Sequence, residues 1–159
     1  IKKNSKLISQ IISETKKNFI LVYPNNDPGY DTIIKNLHNK IKHKKNVKIV
    51  RSMRFEFFLS LLKNASIILG NSSSGIIEAP FYGVPTINLG TRQINRSRTK
   101  TIFNSKFEHK SIINLIKFLD KKRFNKNYNW GLGDSSKKIC DLLKKKYIWK
   151  TAIQKQIQY

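Results

Sequence analysis

Ser66-Ile67-Ile68-Leu69-Gly70-Asn71-Ser72-Ser73-Ser74-Gly75-Ile76-Ile77-Glu78-Ala79-Pro80 runs through Phe81-Tyr82-Gly83-Val84-Pro85 into Thr86-Ile87-Asn88-Leu89-Gly90-Thr91-Arg92-Gln93, and this stretch decides the fold. Residues 66–69 form a short apolar run of the kind a buried parallel strand needs, closed by Gly70. Asn71 to Gly75 supply small residues and hydroxyls just before a helical pattern that starts at Ile76. Strand, polar turn and helix N-terminus together make an anion site, because free N–H groups and the positive end of the dipole point into the turn. Glu78 lies within reach of a ligand held there. Ala79-Pro80 and Gly83-Val84-Pro85 end the helix in this reading, and Thr86 to Leu89 form the next strand. Gly90 to Gln93 then leave the same sheet edge as Asn71 to Gly75, and adjacent polar loops at strand ends are where open α/β sheets bind ligands.

Gly70 and Gly75 have Walker A spacing, but Ile76-Ile77 stand where Lys-Ser/Thr is required, which excludes an ATPase P-loop. A serine-rich turn before a helix also reads as a plain N-cap. The combined stretch resembles the nucleotide-sugar site of the UDP-N-acetylglucosamine 2-epimerases, in particular the hydrolysing branch. Its pattern of GNSS-x-G-x-x-E-A followed by G-x-P-x-I-N-x-G-x-R-Q is matched at every fixed position. The DSGG-x-Q-E-E-A pattern of the non-hydrolysing branch fits less well.

The chain of 159 residues is long enough for one domain with a sizeable core. No apolar run approaches a membrane span and the N-terminus lacks a signal-peptide core, so a cytoplasmic protein is expected. The first residue is Ile, which suggests a piece of a longer chain. The single Cys140 excludes an internal disulfide. Its neighbours Ile139, Leu142 and Leu143 predict a buried thiol. The net charge of +23 suggests nucleic acid or anionic membrane at first sight. The excess is mostly Lys on helical faces and comes with many Asn and Ile, no RNA-binding signature or zinc spacing interleaves with it, and it reads as a coding bias that also favours an anionic ligand over nucleic acid.

Working outward, residues 6–17 have a helical period carrying Leu7, Ile8, Ile11 and Ile12, and Phe19 to Tyr23 form a strand. Pro24 to Gly29 form a loop at that strand's carboxyl end, followed by a helix over 30–42. Val47 to Val50 are a further strand, and Glu56 to Lys63 a helix with an aromatic stripe. Thr101 to Phe103 read as a last short strand, and Glu108 to Leu119 as a helix. Asp134 or Ser135 caps a helix that continues to Leu143. His38, His43 and His109 read as solvent-facing. Strands alternating with helices give an α/β fold with a Rossmann-like parallel sheet. The expected division is a ligand-binding domain over 1–146 and an arm or tail over 147–159.

The resemblance covers residues 4–146 and implies the C-terminal half of a glycosyltransferase-B-type (GT-B) two-domain fold. On that basis Ser72 and Ser73, with the N–H groups of Ser74 and Gly75, would hold the diphosphate of UDP or a UDP-amino-sugar. Glu78 would accept hydrogen bonds from both ribose hydroxyls. Arg92 would pair with phosphate or lock Glu78, while Gln93 and Arg96 belong to the family's R-Q-x-x-R element. Counting back from the serine turn places the aromatic neighbour of the base at Phe58, with Phe55 and Phe57 as rivals. Pro24 to Gly29 match the P-N-x-D-x-G segment, which adds Asn25 and Asp27 as ligand candidates. Residues 130–136 resemble a degraded Y-G-D-G turn. The implied reaction eliminates UDP and then hydrates the glycal to the 2-epimer, with no metal or redox cofactor. The proton-moving groups lie in an N-terminal catalytic domain, so none is named here, and this chain alone is expected to be inactive. A homo-oligomer is possible on this reading. Two other readings stay open: the nucleotide-binding half of a GT-B glycosyltransferase, and a basic nucleic-acid-binding module.

Overall fold

The computed structural model describes residues 2–24 and 29–150, and these fall into two compact units that divide between Asn127 and Tyr128. The loop carrying Asn25 and Asp27 lies outside the described residues, as does the chain beyond residue 150. The expected boundary after residue 146 falls inside the second unit.

In the first unit, α1 (Lys2–Glu14) leads to β1 (Phe19–Val22), α2 (Tyr30–Ile41), β2 (Val47–Val50), α3 (Phe55–Asn64) and β3 (Ile68–Gly70). A 3-10 turn (Ser73–Gly75), α4 (Glu78–Phe81), β4 (Thr86–Leu89), β5 (Ile102–Ser105) and α5 (His109–Leu119) follow. All strand pairs are parallel: β1 with β2, and β3-β4-β5 in chain order. The architecture is thus Rossmann-like α/β. Backbone pairing divides the described strands into a two-stranded and a three-stranded sheet, where one sheet was expected.

α1 bridges the two sheets. Ile11 joins Ile87, Leu89, Ile112, Ile116 and Leu119 in one buried cluster, while Ile12 joins Leu37 and Ile41 in another. Ile8 packs against both clusters. On the α2 side, Ser5 and Ser9 are buried; Asn36 Nδ2 donates to Ser5 Oγ at 3.1 Å and Ser9 Oγ donates to the Ser5 carbonyl at 2.8 Å. These small side chains let two helices approach without orphaned polar atoms. β4 is buried along its whole length, as expected of the central strand of a parallel sheet.

The helix expected from Ile76 is broken into pieces. A single 3-10 turn comes first and α4 has only four residues. Pro80 does not end α4; it sits in the first turn, where its missing N–H costs nothing. Termination comes at Gly83, whose φ of 67° is left-handed. Val84 N donates to the Ala79 carbonyl at 3.0 Å and Gly83 N to the Pro80 carbonyl at 3.1 Å, the paired bonds of a Schellman motif.

In the second unit, α6 (Ser135–Leu143) precedes a 3-10 turn, Lys146–Lys150. Asp134 occupies the N-cap, but its carboxylate pairs with Lys138 at 2.9 Å and bonds no helix N–H. The expected burial of Cys140 is not observed. The thiol is exposed, together with Ile139, Leu142 and Leu143, because among the described residues of this unit none covers the apolar face of α6. The period showed a helix face, not what it packs on. His109 keeps much of its side chain in solvent, as expected, and in addition pairs with Glu14 across α1 and α5.

Candidate functional site at the ends of two parallel strands

The register sets the site. Gly70 pairs with Asn88 and Leu89 with Ser105, so the loops leaving β3 and β4 emerge side by side at the carboxyl edge. The first loop is the serine turn. Ser72 is its N-cap, in an extended conformation, and its Oγ accepts from Ser74 N at 3.3 Å. Gly75 N donates to the Ser72 carbonyl at 3.2 Å. The two amides expected to face a ligand are therefore engaged inside the turn. The N–H groups of Ser72 and Ser73 and the hydroxyls of Ser73 and Ser74 have no partner among the described residues. They are the donors this turn offers.

Gly75 is buried against β4. A Cβ there would lie 2.5 Å from Thr86 Cγ2, inside the repulsive wall. Thr86 Oγ1 donates to the Gly75 carbonyl at 2.6 Å. This contact fixes how closely the turn packs on the sheet. Sequence reasoning missed Thr86, and the available signal was a polar residue opening an otherwise apolar buried strand.

Glu78 stands in the first turn of α4, just past the serine turn. One of its oxygens, Oε2, is buried and has no hydrogen-bond partner among the described residues. A buried carboxylate oxygen of this kind is costly and calls for a donor from elsewhere. Arg92 is exposed and forms no ion pair with Glu78 among the described residues, so it does not lock that side chain. Behind Glu78, Ala79 is fully buried with Leu62 and Val84, and Phe58 packs against that cluster. Phe58 is half-buried beside the site, Phe55 stacks on it at 6.4 Å and is largely exposed, and Phe57 points to solvent under Arg54.

Gln93 is buried between the two loops. Its side chain is 3% exposed. Nε2 donates to the Asn71 carbonyl at 3.0 Å, and Oε1 accepts from Arg96 Nη1 at 2.8 Å. The two strand-end loops are thus tied through one amide. A groove lined by Lys16, Lys17, His109 and Asp120 contains no residue of these loops and plays no part in the site.

Two polar loops leave adjacent parallel strand ends of a Rossmann-like domain, with unpaired donors in one and an unpartnered carboxylate oxygen at Glu78 close by in sequence, and strand ends of this kind are where open α/β sheets bind ligands. Comparison with known proteins carries this further. The family model described as UDP-N-acetylglucosamine 2-epimerase matches residues 1–144, and the chain belongs to this family. It is 39% identical over 145 residues to a UDP-N-acetylglucosamine 2-epimerase of Neisseria meningitidis, covering 88% of this chain and 38% of that protein. It is 30% identical over 138 residues to a hydrolysing UDP-N,N'-diacetylbacillosamine 2-epimerase of Legionella pneumophila, covering 86% of this chain and 36% of that one. The Methanocaldococcus jannaschii UDP-GlcNAc 2-epimerase, solved in complex with UDP-GlcNAc and UDP, superposes with a TM-score of 0.71 at 27% identity. That match covers 89% of this chain and 40% of the other, and the fold is accordingly of the GT-B-like kind. The chain thus spans about two fifths of the length of the relatives it matches.

Proposed function

We propose that this chain is the nucleotide-gripping half of a hydrolysing UDP-N-acetylglucosamine 2-epimerase, and that its strand-end site holds the UDP portion of a UDP-amino-sugar. The orphaned Oε2 of Glu78 carries the reading. A carboxylate beside the serine turn can take both hydroxyls of a ribose, donors that the described residues do not supply to Oε2. Free N–H groups at Ser72 and Ser73, with the hydroxyls of Ser73 and Ser74, suit the adjoining diphosphate. Arg92 and Arg96 add positive charge beside it, and the half-buried ring of Phe58 suits the base.

The chemistry that follows is loss of UDP from C1 with removal of the C2 proton, then addition of water to the glycal. Negative charge grows on the diphosphate as the C1–O bond breaks, so fixed donors around it stabilise the transition state more than the ground state. The proton-moving groups belong to a separate N-terminal domain in this reading, so the chain alone binds UDP without turning over substrate. Titration of the chain with UDP should give saturable binding, and a crystal soaked with UDP should place the diphosphate on Ser72 and Ser73. Nucleotide lodged elsewhere would overturn the site, and release of UDP from UDP-N-acetylglucosamine by the chain alone would overturn the division of labour.

A further inference from the structure

Gln93 is almost wholly enclosed, and both ends of its amide are committed to protein. A side chain with 3% of its surface exposed has almost none to offer a ligand. Its partners, in contrast, are the two elements that do face outward. The Asn71 carbonyl belongs to the residue just before the Ser72 cap, so holding it sets where the free N–H groups of Ser72 and Ser73 point. Arg96 is exposed and in no ion pair among the described residues, yet one guanidinium nitrogen is pinned at 2.8 Å. The loop between them is a compact turn in which Ile94 N donates to the Thr91 carbonyl at 3.1 Å and Asn95 takes a left-handed φ of 66°. An amide is suited to this position because it donates at one end and accepts at the other.

We propose that Gln93 is a positioning residue which holds the serine turn and the Arg96 guanidinium in one fixed relation, and that it does not touch the ligand. This deepens the nucleotide-site reading and rests on it. An anion then meets donors from both loops already oriented, and little side-chain freedom is lost on binding. The Arg96 charge acts on phosphate through the position Gln93 gives it.

Two variants of the full chain separate the halves of this tie. Gln93→Met keeps the length and loses both bonds; Gln93→Glu keeps an acceptor for Arg96 and loses the donor to Asn71. In nucleotide-free protein, both should speed amide hydrogen exchange at Ser74 and Gly75, the two amides bonded inside the turn, while exchange in β4 stays unchanged. Gln93→Met should weaken UDP and inorganic pyrophosphate by about tenfold and leave uridine binding unchanged, because the tie serves the phosphate contacts. Arg96→Ala should cost less in the Gln93→Met background than in wild type. Unchanged exchange with weakened UDP binding would make Gln93 a direct contact and overturn the proposal. Parallel loss of uridine and UDP would overturn it as well, since that is a general loosening of the domain. A wild-type chain that binds no UDP or pyrophosphate removes the nucleotide reading and the ligand half of this proposal, while faster exchange would still establish the tie between the loops.

Discussion

Replacing Glu78 by alanine should move stability and binding in opposite directions. The buried, unpartnered Oε2 is an acceptor taken out of water without compensation, which costs about 1–3 kcal/mol. Deleting it relieves that cost and loses a first-turn acid on α4, worth about 0.3–1 kcal/mol at a helix N-terminus. The desolvation cost outweighs the loss at the helix end, so ligand-free Glu78→Ala should be more stable by about 1 kcal/mol, a rise in melting temperature of about 2–4 °C for a chain of this size. With UDP the sign reverses. Losing a charged acceptor for the ribose should weaken binding by about 1–3 kcal/mol, or roughly 5- to 150-fold. Thermal melts followed by circular dichroism, with and without UDP, and calorimetric titration read both effects on one preparation. A lower melting temperature without ligand together with unchanged UDP affinity would refute the reasoning. Glu78 would then be an ordinary helix-stabilising acid and not a carboxylate waiting for a donor.

Gly75→Ala should destabilise the chain by about 1–3 kcal/mol, since its Cβ meets Thr86 Cγ2 at 2.5 Å. Adding Thr86→Ser removes that methyl but keeps the hydroxyl bonded to the Gly75 carbonyl, and urea unfolding should show much of the loss recovered. Ile87→Ala, in the fully buried cluster around β4, should cost about 2–5 kcal/mol by urea unfolding. Ile139→Ala on the uncovered face of α6 should stay within about 0.5 kcal/mol of wild type. The hydrogen bond from Lys17 holds the Asp120 carboxyl below its ordinary value of 3.8. A lowered folded-state value stabilises at neutral pH, and this stabilisation fades as pH falls through the folded value. Asp120→Asn should therefore melt slightly lower at pH 7, with the two melting curves converging in acid. A gap that widens in acid would have the wrong sign.

The strands and most helices were legible because each carries its own period. Val47 to Val50 and Thr86 to Leu89 are strands at the expected residues, and Thr101 to Phe103 predicted β5 to within two residues. Leu7, Ile8, Ile11 and Ile12 marked α1, although it begins four residues earlier and ends three earlier than the spacing suggested. The site was legible as a place, since parallel strands must deliver their following loops to one edge. Residue roles inside it were less so. Ser74 and Gly75 were expected to offer amides that the turn keeps for itself, and Gln93 was read as a ligand residue from its neighbourhood in the motif.

Sequence alone determined that residues 66–93 form a strand, a polar turn, a helical segment and a second strand, because local polarity, small residues and glycine positions act over a few residues. It also carried the family, since the motif is a string of residue identities. Tertiary structure decided which groups remain unpaired. A donor is free or engaged according to what lies opposite it in space: Gly75 with Thr86 across 11 residues, Asn71 with Gln93 across 22. The apolar face of α6 makes the same point, because periodicity shows that a face exists but not what covers it.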